Sequence, residues 1–225
     1  GTVLFDSTGG ITLGANIVSA STVNITQSAL TLTENRAIST TNSAITLNEV
    51  LTAVDNDHVL TLAAGSGNIT ITDNVGVTGV GAALGGLVIS NAGDVTFSGG
   101  DATVDLGSDG LVVTAAGDVE FDAAANVAGA VDINTATLTL DAALTTTGSN
   151  AITVTNTGTA ALGATLTSGG TVTFDSTGGI TLGANIASTG LVNITGSALT
   201  LTGDRQIGTT NSAITLNEVL TAVDN

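Results

Sequence analysis

Five acidic residues are spaced so that they could bind a cation: Asp94, Asp118, Glu120, Asp122 and Asp141. They alternate with apolar residues, so a sheet that buries the apolar side chains turns these carboxylates outward on neighbouring strands. Like charges about 4.8 Å apart raise one another's pKa or recruit a cation, and hard oxygen ligands suit Ca²⁺. The spacing therefore predicts a weak Ca²⁺ site, although no Gly-Gly-x-Gly-x-Asp nonapeptide accompanies it. The alternative is a solvated acidic strip.

The remaining groups capable of chemistry are few. His58 is the single histidine and lies beside Asp55 and Asp57, where a His/Asp cluster could bind a transition metal. One imidazole in an Asn/Asp-rich corner is also typical of a solvated turn. The two arginines, Arg36 and Arg205, are separated by one repeat length, and there is no cysteine. Because no nucleophile, base and anion-stabilising set can be assembled, we predict no enzymatic activity and no catalytic residues.

Threonine is a third candidate for function. Outward positions of one strand series carry Thr12, Thr31, Thr96, Thr139 and Thr181. A flat threonine ladder on a β-solenoid presents ordered hydroxyls in some ice-binding proteins, but an acidic residue interrupts this one, and threonine is also a common exposed strand residue. An ice-binding or glycan-binding solenoid therefore remains an alternative.

These residues belong to a chain that repeats itself. The segments 1–56 and 170–225 align without a gap, Gly1 with Gly170 and Asn56 with Asn225, and 46 of the 56 aligned positions are identical. We therefore interpret residues 1–169 as one full tandem repeat of β-helix coils. Residues 170–225 are then the first third of the next repeat, continuous with the same solenoid and part of a longer array.

Apolar residues recur with the period of two that is typical of strands, in three interleaved series. The first series of inward pairs is Val3/Phe5, Val23/Ile25, Ile45/Leu47, Ile69/Ile71, Leu87/Ile89, Leu111/Val113, Val131/Ile133, Ile152/Val154 and Val172/Phe174. The second is Ile11/Leu13, Leu30/Leu32, Val95/Phe97, Val119/Phe121, Leu138/Leu140 and Ile180/Leu182, and the third is Ile17, Ile38, Leu60/Leu62, Leu84, Val104/Leu106 and Leu144.

Three strands per coil predict an all-β fold, a right-handed parallel β-helix with three sides. The first series gives about 21 residues per coil and eight coils per 169-residue repeat. We then expect Phe97 and Phe121 to stack on neighbouring coils, and Phe5 and Phe174 to lie on one line, eight coils apart. A β-sandwich array is the rival fold, but it requires more turn residues at spacings of about 8–12 residues.

Composition restricts the partners. With 19 acidic residues, two arginines and no lysine, the formal net charge is −17. Such a surface cannot neutralise a phosphate backbone or anionic lipid, so we predict no nucleic-acid binding. The longest apolar stretch is far shorter than the ~20 residues of a membrane span, so we predict no membrane insertion of this segment. The absence of cysteine is compatible with an exported protein.

The phrase Gly-x-Val-x-Phe-Asp-Ser-x-Gly-Gly-Ile-x-Leu, which begins at Gly1 and again at Gly170, resembles the repeat regions of filamentous-haemagglutinin-type adhesins. These large bacterial exoproteins are exported by two-partner secretion or autotransport. The resemblance extends over all 225 residues and implies a fibrous β-helix at the cell surface, acting as a stalk or adhesive rod. The implied partners are a host or neighbouring-cell surface, or other copies of the parent protein. A self-associating extracellular filament or sheath is the alternative.

Overall fold

The computed structural model describes residues 1–27, 29–76, 83–99, 103–196 and 198–223 as a stack of short parallel strands. Within these ranges every regular element is a strand, and none is a helix. The chain winds through three faces in each coil. The predicted all-β parallel β-helix is therefore confirmed.

The strands are numbered in chain order and grouped here by face. Face 1 contains β1 (Val3–Asp6), β4 (Val23–Thr26), β7 (Ile45–Leu47), β10 (Ile69–Ile71), β12 (Val95–Phe97), β14 (Asp118–Phe121), β17 (Thr137–Leu140), β20 (Ala160–Leu162), β23 (Ile180–Leu182), β26 (Leu199–Thr202) and β29 (Leu220–Val223). Face 2 contains β2 (Ile11–Leu13), β5 (Leu30–Leu32), β8 (Leu51–Ala53), the first part of β13 (Thr103–Ala115), β15 (Ala124–Val127), β18 (Leu144–Thr146), β21 (Leu166–Ser168), β24 (Ile186–Ser188) and β27 (Ile207–Thr209). Face 3 contains β3 (Ile17–Ser19), β6 (Arg36–Thr40), β9 (Val59–Ala63), β11 (Leu84–Ala92), the second part of β13, β16 (Val131–Thr135), β19 (Ile152–Asn156), β22 (Val172–Ser176), β25 (Val192–Gly196) and β28 (Ile214–Leu216). Leu84, the first residue of β11, pairs with Leu106 on face 2.

Neighbouring strands within a face are one coil apart in the chain and pair in parallel. Coils differ in length. On face 1 the chain from Ile69 to its partner Val95 is longer than the chain from Val119 to its partner Leu138. Since corners absorb this variation, the strands keep their pairing and the inward residues stay aligned. Parallel strands lie about 4.8 Å apart, so each coil lengthens the stack by that amount.

The inward side chains form one continuous apolar core along the stack. Phe97 and Phe121 stack on neighbouring coils, with ring centroids 4.6 Å apart and an interplanar angle of 17°, as predicted. Coil stacking is what buries these side chains. Ile45 is 0% exposed beneath the next coil, whereas its equivalent in the second repeat, Ile214, is 43% exposed on the last described coil. Full burial of such a side chain is worth about 1.5–3 kcal/mol.

The pairing of β10 corrects the predicted strand series. Ile69 of β10 lies beside Val95 of β12, whereas Leu87 of β11 lies beside Leu60 of β9. All three series therefore change faces together between β10 and β11. The reason is the irregular face 2 of this coil, where Val75 makes isolated bridges to β8 and β13 and belongs to no strand. The sequence pattern did not include that position and therefore placed Leu87 in the same series as Ile69, one face too early.

The repeat is therefore slightly shorter than eight coils. Val3 to Ala160 spans seven coils on face 1, after which Leu166 lies on face 2 and Val172 on face 3. The 169-residue repeat thus covers seven coils and two thirds of an eighth. The expectation that the two equivalent phenylalanines share one line was wrong, because one lies on face 1 and the other on face 3.

One corner lies inside a strand. β13 continues from face 2 to face 3 through Gly110, whose φ of +79° falls in the left-handed region. A Cβ atom at this position would lie 2.2 Å from the carbonyl oxygen of Ala130 on the next coil. Only glycine satisfies both the dihedral angle and the close approach of the neighbouring coil.

Candidate functional site

Three carboxylates come together at the edge of face 1. Glu120 lies at an outward position of β14, Asp122 follows that strand, and Asp141 follows β17 on the adjacent coil. The pairing of Phe121 with Leu140 brings the last two to the same level. One ligand atom from each of the three acids lies within 4.8 Å of the others, the only such group of three or more potential metal ligands among the residues that the structure describes.

The cluster alters the acidity of its central member. The pKa of Glu120 is raised above its ordinary value of 4.5. The neighbouring charge of Asp122 is the largest cause, followed by partial burial and then by the charges of Asp141 and Asp118. Repulsion of this kind favours either protonation or the binding of a counter-cation.

Asp94 precedes β12 and Asp118 begins β14, so both lie at the opposite end of the face 1 strands, where face 3 turns into face 1. The Asp94 carboxylate accepts hydrogen bonds of 3.0 Å from the backbone amide of Asp118 and from Asn68 Nδ2. The Asp118 carboxylate accepts a hydrogen bond from the hydroxyl of Thr137 on the next coil. These two acids tie corners of successive coils together. The structure thus brings together three of the five predicted ligands and separates two.

The three clustered acids supply oxygen ligands of the type that Ca²⁺ prefers. Ca²⁺ takes about six to eight oxygens, so three carboxylates would furnish part of a coordination shell and water the remainder. Ca²⁺ binding at Glu120, Asp122 and Asp141 stays a prediction.

An open groove of about 220 Å³ adjoins the cluster. It runs along the corner between faces 1 and 2, where small residues follow the strands in place of acids. Its lining is Asp141, Ala161, Leu162, Gly163, Thr181, Gly183 and Thr202. The groove is shallow and is lined by both polar and apolar residues. The Asp141 carboxylate is the one charged group among these described residues.

His58 and Arg36 each lie beside a carboxylate that is close in the chain. His58 Nε2 lies 3.3 Å from the Asp55 carboxylate, and the backbone amide of Asp57 donates to the same carboxylate oxygen at 3.3 Å. Arg36 Nη2 lies 2.9 Å from Glu34, and its Nε donates to the carbonyl oxygen of Leu13 on the preceding coil at 3.0 Å. His58 lies at a corner, and Arg36 is the first residue of β6.

The threonine ladder differs from the predicted one. Thr12 and Thr31 lie on face 2, whereas Thr96, Thr139 and Thr181 lie on face 1. The register of face 1 adds four further threonines and gives one outward row, interrupted by Glu120 and Ala161. This row, in order along the rod, is Thr46, Thr70, Thr96, Glu120, Thr139, Ala161, Thr181, Thr200 and Thr221. The sequence pattern missed Thr46 and Thr70 because its series changed faces. Thr200 and Thr221 lie beyond the last pair of that series.

Comparison with protein families, with curated proteins and with solved structures finds no match to this chain. The fold is therefore assigned from the strand pairing itself, as a parallel β-solenoid. In the described ranges no helix has the length and apolar character needed to cross a bilayer.

Proposed function

We propose that this chain is a segment of a structural and adhesive rod of a large bacterial exoprotein, in which the tandem repeat sets the length. The observation that carries the proposal is the continuity of the strand ladders across the boundary between the repeats. β20 pairs with β23 on face 1, β21 with β24 on face 2, and β19 with β22 on face 3. The second repeat extends the same core without a break.

This continuity gives the repeat a mechanical purpose. A coil contacts only its neighbours, so an added repeat supplies its own core and lengthens the rod without changing the rest. At about 4.8 Å per coil, each repeat adds roughly 37 Å. A chain built this way acts as a spacer whose reach is set by repeat number.

The resemblance to filamentous-haemagglutinin-type repeats supports placing the rod outside the cell. On this proposal, its location is the bacterial cell surface or the extracellular medium, and its partner is a host or neighbouring-cell surface, met through the parent protein. The net charge of −17 supports the proposal further, because an acidic rod stays soluble and separate from similar rods. We propose no catalytic role for this segment.

The length of purified proteins with one, two and three repeats tests the proposal. Small-angle X-ray scattering should show the maximum dimension rising by roughly 37 Å per repeat at constant cross-section. A dimension that fails to rise in equal steps would contradict the spacer function. Negative-stain images separate the alternative: single thin rods support a stalk, whereas ordered bundles support a self-associating filament or sheath.

Adhesion requires a second measurement, because rod length does not report on binding. The fluorescently labelled three-repeat protein should bind cultured epithelial cells or neighbouring bacteria in a saturable way. An unrelated β-helical protein of similar net charge serves as the control. Equal retention of the two proteins would leave the spacer function in place and remove the adhesive one.

A further inference from the structure

The two repeats occupy different faces of the rod. In the first repeat β1, β2 and β3 lie on faces 1, 2 and 3. Their sequence equivalents in the second repeat, β22, β23 and β24, lie on faces 3, 1 and 2. The offset arises because a repeat of seven and two thirds coils ends one face short of a whole number of turns. The second copy is thus turned by one face about the rod axis.

The inward residues explain why this turn is tolerated. All ten substitutions between residues 1–56 and 170–225 fall at outward or corner positions, and every inward residue is the same in both copies. The same apolar pairs therefore fill the core from face 1 in one copy and from face 3 in the other. The three faces are equivalent environments for this sequence.

The corners are interchangeable as well. The Ser7 hydroxyl donates to the carbonyl oxygen of Gly10 where face 1 turns into face 2. Its equivalent, Ser176, donates to the carbonyl oxygen of Gly179 at 2.9 Å where face 3 turns into face 1. Hydrogen bonds within four residues thus hold the turn in the same way at two different corners. Local sequence, and not the position around the rod, determines the corner.

We propose that each 169-residue repeat turns the array by one face, so that a surface patch carried once per repeat points in three directions in succession. The patch returns to the same side at every third repeat, after 23 coils, or about 110 Å. A flat partner, such as a cell surface or the side of another rod, then meets copies of the patch at this interval on whichever side it approaches. The direction in which the patch points does not depend on what the rod binds.

Labels on equivalent residues test the turn directly. The chain contains no cysteine, so introduced cysteines can be biotinylated uniquely and marked with monovalent streptavidin. Val18→Cys marks face 3 in the first repeat, at a residue that is 82% exposed. Ala187→Cys marks the equivalent residue, on face 2. The control pair combines Val18→Cys with Asp175→Cys, which lies on face 3 within one coil of Ala187.

Cryo-electron microscopy of the doubly labelled chains gives the angle between the two labels about the rod axis. We expect the labels of the Val18/Ala187 pair to differ by about a third of a turn relative to those of the Val18/Asp175 pair, which corrects for any gradual twist of the rod. Labels on Val18 and Ala187 that project from one side, with Asp175 on another, would show that the repeat closes on whole coils. Equal angles for the two pairs would also overturn the inference.

Discussion

Glu120 has a raised pKa because three acids surround it, so its ionisation destabilises the folded state. Since the folded pKa exceeds the unfolded one, the protonated form favours folding. That contribution is complete below the ordinary pKa of 4.5 and is lost as the pH rises through the folded value. At neutral pH the cluster therefore destabilises the fold.

Glu120→Gln should consequently stabilise the protein at neutral pH by less than about 1 kcal/mol, because solvent screens a partly exposed group. The gain should vanish near pH 4, where the carboxyl is protonated in both states. Thermal melts across this pH range, followed by circular dichroism, measure the difference. Asp175→Asn, which removes one charge on face 3, is the control and should show a smaller change. A Glu120→Gln gain that does not depend on pH would contradict the electrostatic account.

Ca²⁺ should relieve the same repulsion if the cluster binds it. We expect the melting temperature to rise with Ca²⁺ and fall with a chelator, and we expect calorimetric titration to show saturable heat. Both effects should be lost in Asp141→Asn and kept in Asp175→Asn. If the wild-type chain gives no heat and no shift in melting temperature, these acids act as a solvated, solubilising face.

Sequence alone identified Glu120, Asp122 and Asp141 as neighbours, because strand alternation and coil spacing specify which side chains share a side. It could not separate Asp94 and Asp118 from them. Alternation tells inside from outside, whereas the position along the strand and the hydrogen bonds to a neighbouring coil decide which outward groups meet.

Among the elements, the pairing of β10 with β12 sets the repeat length, and cysteine pairs test it. Thr70 and Thr96 occupy outward positions at the same level of adjacent strands. Their Cα atoms should lie about 4.8 Å apart, within the disulfide range of about 4.4–6.8 Å. We expect Thr70→Cys/Thr96→Cys to oxidise readily and Thr70→Cys/Val88→Cys to keep both thiols free, as measured by mass spectrometry. The reverse pattern would restore the pairing of β10 with β11 and eight coils per repeat.

Loss of a corner hydrogen bond should lower the free energy of unfolding more inside the stack than at its first coil. Ser176 is 0% exposed, donates to Gly179 and accepts from Asn156 Nδ2 at 2.9 Å. We expect Ser176→Ala to cost about 1–3 kcal/mol, because buried partners lose a hydrogen bond. Ser7→Ala, the same change in the half-buried equivalent, should stay within about 0.5 kcal/mol. Urea unfolding followed by circular dichroism measures both, and equal losses would show that burial does not set the cost.

The strand pattern predicted most strands of the first repeat and their inward residues, because alternation is a local property. It gave no inward residues for β8, β15, β20 and β21. Assignment to a face failed from β11 onward. A strand is assigned to a face by counting strands along the chain. One position that the pattern does not recognise therefore shifts every later assignment. Val75 is that position, because it makes isolated bridges on face 2 and belongs to no strand.

For the whole molecule, charge opposes compactness. In the described ranges Arg36 forms an ion pair with Glu34 and His58 lies 3.3 Å from Asp55, against a net charge of −17 with histidine counted as neutral. We expect added NaCl to raise the melting temperature, on the order of a few degrees, by screening like charges. Asp132→Asn/Asp175→Asn/Asp204→Asn should respond less. A melting temperature that falls with salt would mean that favourable ion pairing outweighs repulsion.

The parallel stacking of the coils also determines how the rod bears force. Hydrogen bonds between coils run along the long axis, so tension on the two ends pulls directly against them and opens one interface at a time. Each coil that detaches releases roughly 65 Å of slack chain. Under load the rod therefore lengthens in steps, one coil at a time, while the coils that remain stacked keep their core.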